Sequence, residues 1–370
     1  MTTNMSPKTS KPVDPPSGSK TGLISPPAAL GSRSGFSFSA IGRRPEIGAL
    51  MGTIVVFVFF SVFGGQQFLS AGGFASWLNV ASELAVVSIP VGVLMIAGEF
   101  DLSVGSILAA SSISLALVSG TWGLPIWLGI IVALVIGVGA GFINGLVVTR
   151  SNVPSFIVTL AMQFALAGLT LGGARLLTGD TSINVTPDPV SKALLGTLIG
   201  GKFEVTIFWA AGIAIVMAWI LQNTRYGNWI FAIGGDKESA RAAGVPVAKV
   251  KIGLFMASGF GAAAIGIIQT ILYNGAQSGN GQSFVFNAVI AAVVGGVLLT
   301  GGFGSVVGII LGSLTFAIVN QGIYYTGWDS DWASLILGIL TLAAVLANNT
   351  FRRLALSGSR SKTKSSSKGA

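Results

Sequence analysis

The chain has 370 residues, 52% of them hydrophobic, a mean hydropathy of +0.79 and a formal net charge of +9. Charged side chains make up 9%, against the roughly 25% usual in soluble domains, so an ordinary soluble enzyme is excluded. With neither histidine nor cysteine, imidazole- or thiolate-based catalysis, His/Cys metal sites and disulfides are excluded as well.

Residues 1–46 hold seven of the thirteen prolines and a net charge of +4. Such a stretch cannot bury enough surface to offset its ordering entropy, which predicts a disordered basic tail. It lacks the layout of a secretory signal, because the first apolar run starts only near Ile47. Residues 349–370 form a second basic tail, net +6, and the body between the tails carries −1. Basic tails beside an apolar body read as cytoplasmic flanks of a membrane protein, and no basic folded face is left for nucleic acid.

A helix needs about 17–25 mostly apolar residues to cross the hydrocarbon. Ten runs qualify as candidates: Ile47–Phe63, Leu78–Ala97, Leu102–Val118, Pro125–Val148, Pro154–Leu177, Val205–Leu221, Ile252–Leu272, Phe284–Leu299, Phe303–Gly322 and Trp332–Leu346. The third, eighth and tenth are short and could be broken or re-entrant, leaving eight to eleven crossings. The predicted fold is therefore all-α, a polytopic inner-membrane bundle of about ten transmembrane helices over residues 47–348. With the N-terminus inside and ten alternating spans, eighteen Lys and Arg fall on the cytoplasmic side and only Arg175, Lys192 and Lys202 outside. That bias predicts both termini in the cytoplasm.

Two long loops stand out. The external one, residues 178–204, reads either as a cap over the bundle or as a docking surface for an outside partner. In the internal one, residues 222–251, Asp236 suits an N-cap, residues 237–243 allow about two helical turns, and Gly244 suits the left-handed position that ends a helix. It reads as a partner-docking knob or a surface turn. Asp101 and Ser103 interrupt apolar sequence and could cap the helix that follows them. Gly301–Leu311 matches Gly98–Leu108 at six of eleven positions, a possible repeat of one helix break.

Three stretches carry a resemblance. Thr224, Gly227, Ala232, Gly234, Gly235, Ala240 and Gly244, followed by Lys249 and Lys251, match the spacing of the cytoplasmic loop in permease subunits of monosaccharide ABC importers of the ribose/xylose/arabinose type. Asp236 and Ser239 stand where that family usually has Asn and Ala. Gly98–Ser106 resembles its G-G-I-D-L-S-V-G-S signature, with Glu99 and Phe100 as departures, and Asn144-Gly145 with Pro154, Phe156, Ile157, Thr159 and Leu160 resembles a third. The three occur in order, and the similarity covers about residues 47–350.

This resemblance implies a sugar-conducting permease working with cytoplasmic ABC ATPase subunits, a periplasmic sugar-binding protein and a second copy of itself in the lipid bilayer. It implies an ATPase-coupling role for Gly234, Gly235, Asp236, Glu238, Ala240, Arg241 and Gly244, and a helix-break role for Gly98, Asp101, Ser103 and Gly105. The chain has no G-x-x-x-x-G-K-[ST] loop, so ATP hydrolysis is expected on a separate chain; no cofactor or metal is expected. Asn144, Gln163, Asn287 and Asn320 are polar positions that could line a substrate path, or pack between helices. The alternative reading is an ion-coupled secondary transporter of a small polar solute. It suffers from the scarcity of ionisable residues within the spans, where only Glu83 and Arg175 qualify.

Overall fold

The computed structural model describes residues 45–343 except 152, 330, 340 and 341; the two basic tails predicted at 1–46 and 349–370 and the end of the tenth run fall outside these residues, apart from Pro45 and Glu46. The helices are α1 (Pro45–Phe63), α2 (Gly65–Leu69), α3 (Ala71–Ile96), α4 (Val104–Ala116, continued by a π-helical turn, Leu117–Thr121), α5 (Ile126–Ser151) and α6 (Ser155–Thr178). After these come α7 (Pro189–Leu195), α8 (Thr206–Asn223), α9 (Arg225–Gly235), α10 (Lys237–Ala242), α11 (Val247–Leu272), α12 (Phe284–Val294) and α13 (Val306–Gly322). Residues 332–339 are helical too.

Eight of these helices, α1, α3, α4 with its π turn, α5, α6, α8, α11 and α13, are long and apolar enough to cross a membrane. The third predicted run thus reaches full length, because the π turn extends it to Thr121. The eighth stays short: α12 has 11 residues, about 16 Å of helix, half of what the hydrocarbon needs.

Among the described residues, four short strands accompany the helices. β1 (Ser182–Asn184) pairs antiparallel with β4 (Gly275–Gln277), with Ser182 opposite Gln277, and β2 (Leu198–Ile199) pairs with β3 (Phe203–Glu204). The loop 178–204 is therefore stitched to the end of α11. Lys192 on α7 adds a second stitch, donating from Nζ to the Ile271 and Leu272 carbonyls at 2.8 and 3.0 Å and to Asn274 Oδ1 at 2.8 Å. The end of the bundle that carries this loop is called the loop face below. The opposite end, separated from it by the 18 residues or about 27 Å of α8, is the hairpin face.

α3 is the axis of the bundle. Leu84–Ala97 is buried almost without interruption, and α8, α11, α12 and α13 all pack on it. A helix that is apolar all round and buried all round belongs inside a membrane bundle rather than on its rim. By contrast, α6 and α8 leave most of their apolar side chains outward, as surfaces facing lipid or another subunit would.

Both predicted helix breaks exist, and they meet. α3 ends at Gly98, φ +80°, where the Gly98 N–H bonds the Met95 carbonyl and the Glu99 N–H bonds that of Leu94. α12 ends the same way at Gly296, φ +91°, with bonds to Val293 and Ala292. Each is the paired-bond turn that satisfies the last carbonyls of a helix. The Gly302 N–H then donates to the Ile96 carbonyl at 2.8 Å, joining the two breaks.

Gly234, near the end of α9, is packed against this junction: a Cβ there would overlap the Ile96 carbonyl and lie 2.5 Å from the Gly302 nitrogen. Beside Gly235 a Cβ would meet nothing within 4 Å. Gly234→Ala is therefore expected to lose about 1–3 kcal/mol through overpacking. Gly235→Ala should stay within a few tenths of wild type. Thermal melting of the two variants, followed by fluorescence-detected size exclusion in detergent, checks the contrast; equal melting points would disprove the close seat.

Candidate functional site

The predicted knob is a helical hairpin. Residues 225–235, read from sequence as part of a loop, form α9, and its buried face is Gly227, Ile230 and Ile233 at three-residue spacing. α10 is built as expected. Asp236 Oδ1 accepts from the Ser239 N–H at 2.6 Å, Gly244 sits at φ +83°, and Gly244 and Val245 return bonds to Arg241 and Ala240. Ala240 is buried against the bundle, whereas Glu238 and Arg241 form an exposed pair at 3.3 Å, a geometry worth little to stability. The Ser239 N–H holds the Asp236 carboxyl below its ordinary range. The cap is therefore complete at neutral pH and is lost only as pH falls through that lowered value.

Above the hairpin the break between α3 and α4 carries a chain of buried polar groups. Glu99 and Lys251 form a buried ion pair between the break and α11. Asp101, fully buried, accepts through Oδ1 from the Ser103 N–H at 2.9 Å and hydroxyl at 2.6 Å, and through Oδ2 from the Ser258 hydroxyl at 2.7 Å. Asn144 Nδ2 donates to Ser103 Oγ at 2.8 Å. One turn of each of α4, α5 and α11 is thus tied to one carboxylate.

The capping differs from the expectation. Neither Asp101 nor Ser103 caps α4 with its side chain, because the Asp101 carboxylate is engaged by Ser103 and Ser258. The cap comes from α6: Gln163 Oε1 accepts from the Ser106 N–H at 2.9 Å, while its Nε2 donates to Gln282 Oε1 at 3.1 Å. Gly105 lies against Gly281, which brings the segment before α12 down to the first turn of α4.

The four polar path candidates do not converge on one cavity. Asn144 belongs to the Asp101 cluster, Gln163 is the cap just described, and Asn320 accepts from Gln321 Nε2 at 3.0 Å on α13. Asn287 is half-buried on α12. The sequence marked Glu99 as a departure from the signature and Lys251 as one of a basic pair, but nothing local joined the two or brought Ser258 to Asp101. Ser258 lies mid-helix among small residues, and Lys251 reads as one of the basic residues that flank a span.

Two clefts open on opposite faces. On the hairpin face a cavity of about 450 Å³ lies between the break and the hairpin, bordered by Gly98, Glu99, Gly234, Asp236 and Lys251. On the loop face a cavity of about 440 Å³ lies between the β1–β4 ribbon, the end of α11 and the segment that enters α12. At the loop face Glu204, on β3, is held above the usual carboxylate range by burial, and the Tyr273 hydroxyl is raised by burial and by Glu83 and Glu204 beside it. Among the described residues no cluster of carboxylates suits a metal ion.

The family model described as branched-chain amino acid transport system / permease component matches residues 73–345. The ribose import permease of Haemophilus influenzae is 32% identical over 288 residues, 76% of this chain and 87% of that protein. The xylose transport system permease of Haemophilus influenzae is 27% identical, over 74% of this chain and 88% of its own length. The fructose import permease of Rhizobium meliloti is 29% identical, with 75% and 78% covered. No solved structure matches the chain.

Removing one partner of a buried ion pair leaves the other charge unpaired and costs about 3–5 kcal/mol, whereas replacing both by neutral groups is often neutral. Lys251→Met is therefore expected to melt well below wild type. Glu99→Gln with Lys251→Met should recover most of the difference. Melting of the single and double variants checks it, and additive losses would show that the two side chains do not pair.

Proposed function

This chain belongs to the family of permease components of the branched-chain amino acid transport system type, and we propose that it forms the membrane pathway of an ATP-driven importer for a simple sugar. A permease component is not itself an enzyme, and the energy comes from cytoplasmic ATPase subunits. A periplasmic binding protein delivers the sugar and a second copy of the chain completes the pathway. The sugar reading rests on relatives named for ribose, xylose and fructose import.

One observation carries the coupling role: the hairpin α9–α10 touches the helix breaks directly, through Gly234 against Ile96 and Gly302. An ATPase that pushes on α10 would move the hairpin as a unit, because Asp236 and Gly244 fix both ends of the short helix. The displaced Gly234 would press on the junction that joins α3 to the segment before α13. α8 and α11, which flank the hairpin in the chain, would be drawn along. Gly234, Gly235, Asp236, Glu238, Ala240, Arg241 and Gly244 are then the coupling residues, and the face that bears them is cytoplasmic.

A side chain at Gly244 has to adopt a left-handed backbone, at about 1–2 kcal/mol. That strain is too small to unfold the bundle but displaces the end of α10. Gly244→Val is expected to reach the membrane at normal levels, to co-purify poorly with the ATPase and to import little sugar. Normal uptake by this variant, at matched membrane levels, would remove the coupling role. Uptake by the chain alone under a proton or sodium gradient would favour secondary transport instead.

Orientation is tested independently. The chain has no cysteine, so single cysteines report cleanly. Ser191 is buried and unsuitable, but Thr186 and Ser239 are exposed on opposite faces. Thr186→Cys should react with an impermeant maleimide from the periplasm, and Ser239→Cys only after the membrane is permeabilised. The reverse pattern would invert the topology.

A further inference from the structure

The cleft on the loop face has a composition that selects a ligand. Asn184, Gln269, Tyr273, Gln277, Asn280 and Ser283 contribute side chains to its wall. All six carry an amide or hydroxyl that can donate as well as accept, as sugar hydroxyls do, and Tyr273 adds an exposed aromatic ring. None carries a formal charge at neutral pH. The volume of about 440 Å³ admits one monosaccharide with its bridging waters.

The surroundings argue against a carboxylate or phosphate in the same place. The nearest ammonium, Lys192, is already spent on the Ile271 and Leu272 carbonyls and Asn274 Oδ1. Behind the wall, Glu83 Oε2 accepts from Gln269 Nε2 at 2.9 Å, which fixes the Gln269 side chain in place. A sugar phosphate would bring its anion to a cleft whose lining residues include no Lys or Arg to pair it. A neutral polyol meets no such penalty.

The cleft is also built rather than incidental. Pairing of Ser182 with Gln277 sets one wall, and the bond from the Val185 N–H to the Asn274 carbonyl, 3.0 Å, holds Asn274 in its left-handed turn at φ +56°. The Asn280 N–H donates to the Gln277 carbonyl at 3.1 Å, which turns the chain inward toward Gly281. Gln282 then joins Gln163 and, through it, the first turn of α4.

We propose that this cleft is a sugar subsite on the pathway, which takes one neutral polyhydroxylated ligand through Asn184, Gln277 and Asn280 and refuses anionic ones. The assignment rests on the sugar-import reading above and locates where that ligand first meets the chain.

Asn280→Cys and, separately, Gln277→Cys in the cysteine-free chain, reconstituted with its ATPase, supply the test. Labelling by an impermeant maleimide is timed with 50 mM D-ribose, D-xylose, D-fructose, L-leucine or ribose 5-phosphate. At least one sugar should slow labelling about fivefold or more at both positions, while leucine and the sugar phosphate change nothing. Asn184→Leu added to either background should abolish the protection. Uptake of the same radiolabelled sugars by the wild-type importer is measured in parallel. If a sugar is imported but protects neither cysteine, the subsite is wrong and the importer reading survives. If leucine protects and is imported and no sugar is, the importer reading falls together with the subsite.

Discussion

Hydrocarbon offers no hydrogen-bond partner, so every backbone N–H and C=O inside the bundle has to find one within the protein. Unbroken helices meet this condition by themselves. The breaks after α3 and α12 do not, and most of the distinctive geometry of this chain answers that need. Gly98 and Gly296 fold the last carbonyls of their helices back on amides, Gly302 donates to Ile96, and Gln163 reaches from α6 to the start of α4. The glycines that permit these bonds also let α9 come into backbone contact with the junction, through Gly234. A single physical requirement therefore produces both the helix breaks and the place where the hairpin α9–α10 touches them.

The same segment carries the buried carboxyl groups of Glu99 and Asp101. Glu99 is paired by Lys251, while Asp101 has only hydroxyl and amide donors. Burying such groups is costly, and neither is needed merely to span a membrane. Their effect is to tie the break to α5 and α11, so that displacement of one is felt by the others.

Much of the fold was legible because the membrane imposes it on the sequence. Long apolar runs betrayed the spanning helices, and the similarity of Gly98–Leu108 to Gly301–Leu311 marked two breaks that prove to be neighbours. The short α12 was flagged by its length. α9 escaped notice, since Gly227, Gly234 and Gly235 disguise a helix whose apolar face is held by tertiary contacts. The β1–β4 ribbon escaped too, being three residues long and paired between strands roughly a quarter of the chain apart.

The candidate site divides along the same line. Asp236 and Gly244 act on groups a few residues away, so capping chemistry written in the sequence sufficed to place α10 between them. Gln163 to Ser106 spans 57 positions, Ser258 to Asp101 spans 157, and Lys251 to Glu99 spans 152. By itself, then, the sequence determined the membrane class, the helix breaks and the short capped helix, because hydrophobicity and capping act locally. Only the tertiary structure decided that Gln163 caps α4, that Glu99 has a partner, and that the polar cleft opens beside β4. Such pairings depend on which helix faces are brought together, and no short-range pattern records that.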